Sequence, residues 1–375
     1  MKVFFNALII HLIFNVYVFY RGWKILPDKK IYKIPYASLF IIELVLYLIG
    51  FFGNVNLPEP VLKPLLMLGT SWMVFIGYTS AILLSYDVVI LLGRWLPYIN
   101  RLRLHTRRKR YISFVASVVI VLITMVYGNY RFWNPVVNEM NLIVEKDAHE
   151  LQKLKIAVVS DVHAGYLINN PVLEMYVKKI MEQKPDIILL VGDIIDYDLD
   201  PLVNQRMDTI FSKLNAPYGV YLSTGNHEYR LNAEEKIAWL SEKAGFRVLR
   251  DEAVKIADSF YLVGREDDHA PKRESLSNIM QDVDKAYPVI VMNHEPYNLQ
   301  EEADEAVDIA VYGHTHNGQL FPYNILINML YEVGYGYKNK ENTHVYVSSG
   351  LGLAGPQYRI GTISEIVILN VDFKN

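Results

Sequence analysis

Cysteine is absent from this chain of 375 residues. A chain without thiols cannot form disulfides or a thiolate metal site, so any metal ion must be held by nitrogen and oxygen ligands. A strong net charge is absent as well, because 37 basic and 40 acidic residues leave −3. This balance argues against a general surface for polyanions, and no nucleic-acid partner is expected. Apolar residues, by contrast, make up 52% of the chain, and the longest apolar runs precede residue 130.

Four of these runs lie in residues 1–128 and predict a transmembrane region. At a rise of about 1.5 Å per residue, the first of them is just long enough to cross a hydrocarbon core of about 30 Å as a helix. The first run also fits a signal peptide, but no small-residue cleavage site follows it, so we expect a retained helix. The four helices are expected at about residues 3–20, 34–53, 65–84 and 112–127.

Basic residues between the runs predict the orientation. Lysine and arginine cluster at 21–33 and 94–110, whereas the loop at 54–64 has a single lysine. Because lysine and arginine concentrate in cytoplasmic loops, everything after residue 127 is expected outside the cytoplasmic membrane. The basic stretch 101–110 lacks the interleaved aromatic residues of a nucleic-acid surface, so we interpret it as a topology signal.

A linker is expected at 129–150, with a strand near 140–145, and residues 151–375 then form one domain. Strand and helix patterns alternate in that domain, which is typical of an α/β fold with strands buried between helical layers. Shorter strands follow, two of them at 288–293 and 308–312. The first alternating segments are 155–160, 171–183, 186–192, 203–214, 219–224 and 233–244.

Potential metal ligands follow the predicted strands. Loops at the carboxyl ends of buried strands are where sheet proteins gather their chemistry. A histidine there is more often an ordinary core or surface residue, but five of the ten histidines occupy such positions beside Gly, Asp or Asn. Oxygen and imidazole donors suit Mn, Fe, Zn, Co or Mg. Asp193 is placed to bridge two ions, and the set has seven members: Asp161, His163, Asp193, Asn226, His294, His314 and His316.

These motifs resemble the signature of the calcineurin-like metallophosphoesterases. The resemblance covers about residues 150–375 and implies a double β-sandwich flanked by helices, with two divalent metal ions. His227 would be a non-ligand acid that protonates the leaving oxygen or stabilises the phosphoryl charge, so it would serve in both catalysis and substrate binding. The matching blocks are Asp161-x-His163, Gly192-Asp193-x-x-Asp196, Gly225-Asn226-His227-Glu228, His294 and Gly313-His314-x-His316. By likeness, one metal would be held by Asp161, His163, Asp193 and His316, and the other by Asp193, Asn226, His294 and His314.

The chain as a whole is similar to bacterial membrane-anchored members of that family, some of them related to hydrolases of lipid-sugar pyrophosphates. In this subgroup Arg359 would face the substrate phosphate. The glycines of 350–355 also fit a dinucleotide-binding turn, but Pro356 follows at once and no helix opens there. The pocket walls are expected from loops at 196–205, 228–236, 265–275 and 317–343.

We therefore expect a membrane-anchored hydrolase that cleaves a phosphodiester or pyrophosphate bond with metal-activated hydroxide, with Asp193 and His227 in catalysis. The substrate is expected to be a lipid or a lipid-linked headgroup. Three alternatives stay open: an enzyme for soluble extracytoplasmic phosphoesters, a non-catalytic scaffold of the same fold, and a transporter or receptor with an accessory domain.

Overall fold

The protein divides into two compact units, Met1–Gly128 and Asn129–Asn375. The structure, a computed structural model, describes residues 2–52 and 57–374. The side chains of 2–7, 48–52 and 59 lie outside that description.

The first unit is helical. Long apolar stretches form its helices because a helix satisfies every interior backbone hydrogen bond within the segment. The last helix continues for a turn into the second unit. The helices are α1 (Lys2–Ile25), α2 (Lys30–Phe52), α3 (Glu59–Leu92), the short α4 (Pro97–Asn100) and α5 (Arg107–Trp133).

Within the described residues, two helices are long and apolar enough to cross a membrane, Pro60–Leu92 and Arg107–Trp133. The four apolar runs predicted four spanning helices, and that prediction is corrected to two. The runs at 3–20 and 34–53 do form α1 and α2, but part of each lies outside the described side chains. In their described parts charged residues shorten the apolar stretch, and Glu43 of α2 is buried.

The second unit contains two mixed six-stranded sheets. The strand order in the first sheet is β1 (Val136–Val144), β12 (Glu365–Phe373), β2 (Lys153–Val159), β3 (Ile187–Val191), β4 (Val220–Ser223) and β5 (Arg247–Leu249). The strand order in the second sheet is β10 (Gly336–Lys340), β11 (Thr343–Val347), β9 (Ile309–Tyr312), β8 (Val289–Met292), β7 (Phe260–Gly264) and β6 (Glu252–Ile256). The expected α/β architecture is confirmed.

Helices connect the strands. In chain order they are α6 (Asn170–Met181), α7 (Asp200–Asn204), α8 (Asp208–Phe211), α9 (Ala233–Glu242), α10 (Leu276–Ile279), α11 (Leu299–Asp304) and α12 (Tyr323–Leu330), with 3-10 turns at Met280–Asp282 and His316–Gly318.

Alternation along the strands produces separate hydrophobic layers. In β2, Ile156 and Val158 join a core that also takes residues from both sheets. The intervening Ala157 and Val159 join a second core that includes residues of α6. Successive side chains of a strand point to opposite faces, so one face of the first sheet packs toward the second sheet and the other toward helices. Each fully buried Val or Ile contributes roughly 1.5–3 kcal/mol.

The segment expected as a linker is largely structured. The last turn of α5 reaches Trp133, and β1 begins at Val136. Phe132 is fully buried in the helix-side core. Strand β1 pairs in parallel with β12 from Val136 opposite Glu365 to Val144 opposite Phe373. The second unit therefore begins at the end of α5.

The parallel pairings decide where the strand ends meet. β2, β3 and β4 are parallel neighbours in the first sheet, and β7, β8 and β9 are parallel neighbours in the second. Carboxyl ends of parallel strands lie at one edge of a sheet. The loops after these strands bring the predicted ligands together.

Candidate metal centre

The predicted ligands all sit on loops that follow five strands. The loop after β2 carries Asp161 and His163, the loop after β3 carries Asp193, and the loop after β4 carries Asn226. The loops after β8 and β9 carry the remaining three histidines, His294, His314 and His316.

Distances show that the two carboxylates and the imidazoles converge. Asp193 Oδ2 lies 3.3 Å from His294 Nε2 and 3.8 Å from His163 Nε2. Asp161 Oδ1 lies 3.3 Å from His316 Nε2 and 3.9 Å from His163 Nε2. The Nε2 atoms of His163 and His316 are 3.0 Å apart. The sequence placed these side chains together, and the structure brings them into one cluster.

The remaining two predicted ligands, Asn226 and His314, contact each other, and His314 contacts Asp161. His314 Nδ1 lies 3.1 Å from Asn226 Oδ1. The backbone N–H of His314 donates to both carboxylate oxygens of Asp161 at 3.1 Å. All seven residues therefore belong to one contiguous group.

The donor atoms fit divalent metal ions. Three overlapping groups place one donor atom per residue within 4.8 Å of the others: Asp161, His163 and His316; His163, Asp193 and His227; Asp161, Asp193 and His294. The buried Nε2 of His294 has no hydrogen-bond partner in the described structure, while its Nδ1 donates to Val191 O at 2.8 Å. Such a bond fixes the tautomer that turns a nitrogen lone pair toward a metal.

Backbone strain is concentrated in the same loops. Asp161, His163 and Asp193 have φ of 55°, 50° and 55°, and His314 and His316 have 68° and 49°. Non-glycine residues rarely adopt this left-handed region, and strained residues cluster at functional sites. The loops hold these side chains in place against a local conformational cost.

Gly225 is required by close packing. A Cβ atom at this position would collide with Asp193, whose backbone nitrogen would be 2.5 Å away. Glycine therefore lets the loop after β4 approach the loop after β3, which brings Asn226 up to the cluster.

Glu228 clamps these two loops. Its Oε2 accepts from the N–H of Asp193 at 2.9 Å and of Gly225 at 2.8 Å. Its Oε1 accepts from the N–H of Ile194 at 2.9 Å and of Ile195 at 3.0 Å. Glu228 belongs to one of the matching motifs, but the motif alone predicted no role for it. The four main-chain bonds depend on the folded loops, so residue type and spacing alone did not reveal them.

Charge is distributed unevenly among the cluster residues. Burial disfavours ionisation of Asp193, but the charges of His294 and His163 hold the pKa of its carboxyl well below its usual range. Burial lowers the pKa of His314 to about 4, helped by the charge of His294. Burial also lowers the pKa of His316, with His163 adding to the effect. Neutral imidazole is the form that binds metals, so His314 and His316 are in the ligand form at neutral pH.

His227 lies at the edge of the cluster. Its Nδ1 is 2.5 Å from the backbone oxygen of Asp196, which fixes Nδ1 as the donor. Its Nε2 is 3.9 Å from Asp193 Oδ2. The carboxylate of Asp196 lies 3.3 Å from His227 Nδ1 and 3.6 Å from His163 Nδ1. Nε2 is therefore the His227 atom that faces the cluster.

Arg359, for which we predicted a contact with substrate phosphate, has no exposed surface. Its guanidinium donates to the backbone oxygens of His316 at 3.1 Å and Gly350 at 2.9 Å, and to that of Gly352. A phosphate contact would require the exchange of these bonds, and the predicted role stays a prediction.

A further group of donors lies beside the cluster and was not predicted. Asp267, His269 and Glu295 each place one donor atom within 4.8 Å of the others. Glu295 Oε1 is 3.4 Å from His314 Nδ1. Burial and the charge of Asp267 raise the pKa of Glu295 to about 7. The stretch 265–275 was expected to shape the pocket, but no motif in it singled out these side chains.

Comparison with known proteins defines the class. The family model of the calcineurin-like phosphoesterases matches residues 154–318, a range that contains all seven predicted ligands. The chain is 34% identical to an uncharacterised metallophosphoesterase of Aquifex aeolicus, over 62% of this chain and 93% of that protein. It is 31% identical to an uncharacterised metallophosphoesterase of Campylobacter jejuni, over 70% of each chain.

A vertebrate relative also matches. The chain is 30% identical to a transmembrane protein with a metallophosphoesterase domain from Danio rerio, over 68% of this chain and 62% of that protein. Among solved structures, TT1561 of Thermus thermophilus aligns with 14% identity and a TM-score of 0.35, over 52% of this chain and 88% of that one.

Fold, site and relatives together define a metal-dependent phosphoesterase with a buried His/Asp cluster typical of a binuclear metal site. The chain belongs to the calcineurin-like metallophosphoesterase family.

Proposed function

We propose that this chain is a membrane-anchored phosphoesterase that holds two divalent metal ions and hydrolyses a phosphodiester or pyrophosphate bond at the headgroup of a lipid or a lipid-linked glycan. One observation carries the proposal. The carboxylates of Asp161 and Asp193 converge with histidines from the loops after β2, β4, β8 and β9, in a chain with two helices long and apolar enough to cross a bilayer.

The distances and the family resemblance support the proposed division of the ligands between two metal ions. Asp161, His163 and His316 form one group of donor atoms. Asp193 lies next to His163 of that group and also contacts His294. Asn226 and His314 adjoin each other. The set of oxygen and imidazole donors suits Mn, Zn, Fe, Co or Mg.

Two cations, when bound, would lower the pKa of a water molecule and neutralise charge on the phosphoryl oxygens. The chain's own contribution is to fix the donors. Glu228 holds the main chain around Asp193 through four N–H groups, and Val191 O holds the His294 ring. Preorganised groups need no rearrangement during the reaction, which is the main way a protein stabilises developing charge.

For His227 we propose proton donation to the leaving oxygen. Its Nδ1 is engaged by Asp196 O, so Nε2 is the atom available to a substrate beside Asp193. A protonated Nε2 would act as a general acid by donating its proton to the leaving-group oxygen as the bond between that oxygen and phosphorus breaks. For Arg359 the carbonyl bonds favour a role in holding the turn of His316 in place.

The lipid substrate is supported by the architecture. α5 meets the length and composition of a spanning helix and its last turn, from Asn129 to Trp133, belongs to the same compact unit as the metal cluster. The basic loops at 21–33 and 94–110 favour a cytoplasmic side for those loops and an extracytoplasmic side for the catalytic unit. A catalytic unit tethered in this way meets lipid headgroups at high local concentration.

Hydrolysis by purified full-length protein in detergent tests the proposal. After reconstitution with Mn²⁺ or Zn²⁺, three probes are compared: bis(p-nitrophenyl) phosphate, phosphatidylglycerol and a polyprenyl pyrophosphate. We expect at least one of the two lipids to be hydrolysed with a higher kcat/KM than the soluble diester. Asp193→Asn is the control and should abolish all three activities. Hydrolysis of the soluble diester alone would reject the lipid substrate and favour soluble phosphoesters.

A further inference from the structure

Helix α12 exposes an apolar surface. Five large apolar side chains of this eight-residue helix are exposed, and none of its described residues is buried. Met329 and Leu330 are the most open, at 78% and 68% exposure. The helix has no charged residue. Contiguous exposed apolar patches mark sites of protein or membrane contact. We use the name α12 surface for these five side chains: Tyr323, Ile325, Leu326, Met329 and Leu330.

The α12 surface starts next to the metal cluster. His316 opens the 3-10 turn His316–Gly318, and α12 follows after a few residues. Gly318 has φ of 74°, and a Cβ there would collide with the backbone of Tyr323 and Asn324. The first turn of α12 therefore packs directly on the turn that presents His316.

The segment before α12 and the last turn of α5 each donate a hydrogen bond to one loop. Gln319 Nε2 donates to Pro356 O at 3.1 Å, and Asn129 Nδ2 donates to Gln357 O at 3.0 Å. These acceptors belong to consecutive residues, whose Cα atoms are about 3.8 Å apart. The segment that leads into α12 and the last turn of α5 thus meet on the same short loop.

The last turn of α5 has the character of a membrane interface. Tyr130 is 60% exposed and Trp133 is 40% exposed. Tyrosine and tryptophan concentrate at the level of lipid headgroups, where one part of the side chain is apolar and the other is hydrated. If α5 spans the bilayer, the headgroup layer lies at this turn. Because α12 is only about 12 Å long and begins four residues after Gln319, its apolar surface lies within reach of that layer.

From this placement we infer that the α12 surface docks into the headgroup and upper acyl layer of the phospholipid bilayer that α5 crosses, beside the entrance to the metal cluster. The inference rests on the proposed function, in which α5 is a spanning helix. An apolar helix face is buried about 5–10 Å into the boundary of headgroups and acyl chains when a helix lies in the interfacial layer, and α12 has no charged side chain that would oppose this burial. A lipid headgroup would then reach His316 along the helix without leaving the membrane.

The absence of native cysteine gives a direct test. Met329→Cys and Leu330→Cys, each made in the full chain, are labelled with a small fluorophore and reconstituted into vesicles of phosphatidylglycerol and phosphatidylethanolamine in equal parts. Quenching by a lipid carrying a nitroxide near the headgroup is compared with quenching by aqueous iodide. We expect the lipid quencher to act severalfold more strongly than iodide at both positions. Two sites guard against a local effect of either substitution.

Ser241→Cys, an exposed position in α9, is the matched control and should respond to iodide rather than to the lipid quencher. Iodide quenching of the α12 labels at the level of the Ser241 label would overturn the inference. Protection from both quenchers would also overturn it, because a second protein surface rather than lipid would then cover α12. No substrate is present in this measurement, so its failure is distinct from a failure to detect phosphoesterase activity.

Discussion

Glu228→Gln is the substitution that most sharply tests how the fold holds the metal cluster. The glutamate is fully buried, and each of its oxygens accepts from two backbone N–H groups. Glutamine has the same shape but replaces one oxygen by an NH₂ group. Two of the four main-chain donors then face another donor, whichever way the amide turns. Whichever pair of donors is affected, it includes a residue of the loop after β3: Asp193 for one orientation of the amide, and Ile194 with Ile195 for the other.

The expected cost follows from those two bonds. A hydrogen bond to a charged acceptor contributes about 1.5–3 kcal/mol, so two lost bonds cost about 3–6 kcal/mol. Burial and the charge of Asp193 raise the pKa of Glu228, which shows that the ionised form is penalised where it lies. Removing the charge recovers part of the loss, on the order of 1–2 kcal/mol. We therefore expect a net destabilisation of about 1–5 kcal/mol and weaker metal binding.

Denaturant unfolding of the full chain in detergent, followed by circular dichroism, measures the loss, and elemental analysis measures the bound metal. Glu302→Gln is the matched control. Glu302 is equally buried, but it accepts from the side-chain amide of Asn293 at 3.2 Å, which a glutamine oxygen also accepts. We expect this control within about 1 kcal/mol of the parent. A Glu228→Gln variant that is as stable as this control and keeps its metals would refute the clamp.

Three further predictions concern metal binding, chemistry and topology. Asp193→Asn should lose most of both metals, because Asp193 contacts ligands of both groups, whereas Asp196→Asn should keep them; elemental analysis showing full metal content in the Asp193 variant would contradict the shared ligand. His227→Ala should retain metal but lose about a hundredfold in turnover, with a smaller loss for substrates with good leaving groups; equal losses for good and poor leaving groups would exclude a general acid. A C-terminal tag should be digested by protease added to intact spheroplasts, and a tag that survives until lysis would place the catalytic unit inside.

The metal cluster could be predicted because its signals are local. A short apolar run followed by Gly-Asp or Gly-Asn-His marks both a buried strand and the polar residues at its end, and parallel pairing brings such ends together. Asp193 and Asn226 lie 33 positions apart, yet β3 and β4 are direct neighbours. Consecutive strands often pair, so this adjacency was within reach of the sequence.

Features that depend on distant pairing were not predictable. β12, at the end of the chain, inserts between β1 and β2, and nothing in its composition specifies those neighbours. Arg359 was interpreted as a phosphate ligand from the resemblance to the membrane-anchored subgroup, but in the fold it donates to three backbone carbonyls. The stretch 317–343 was expected as a pocket loop, and its helix α12 is too short to show a clear period.

The number of spanning helices was overpredicted for a different reason. The apolar runs are evident in the sequence, but whether each can span a membrane depends on the charged residues near its ends. α3 and α5 have long uninterrupted apolar stretches. α2 carries Lys30, Lys33 and Glu43 within its length. Hydropathy alone therefore predicted more spanning helices than the described structure supports.

Electron paramagnetic resonance of the full chain reconstituted with Mn²⁺ tests whether one buried cluster holds two metal ions bridged by Asp193. Two ions that share a carboxylate are exchange-coupled, so we expect the spectrum of a coupled Mn²⁺ pair at two equivalents per chain, and loss of that spectrum in Asp193→Asn. A spectrum of isolated Mn²⁺ that saturates at one equivalent per chain would contradict the binuclear assignment.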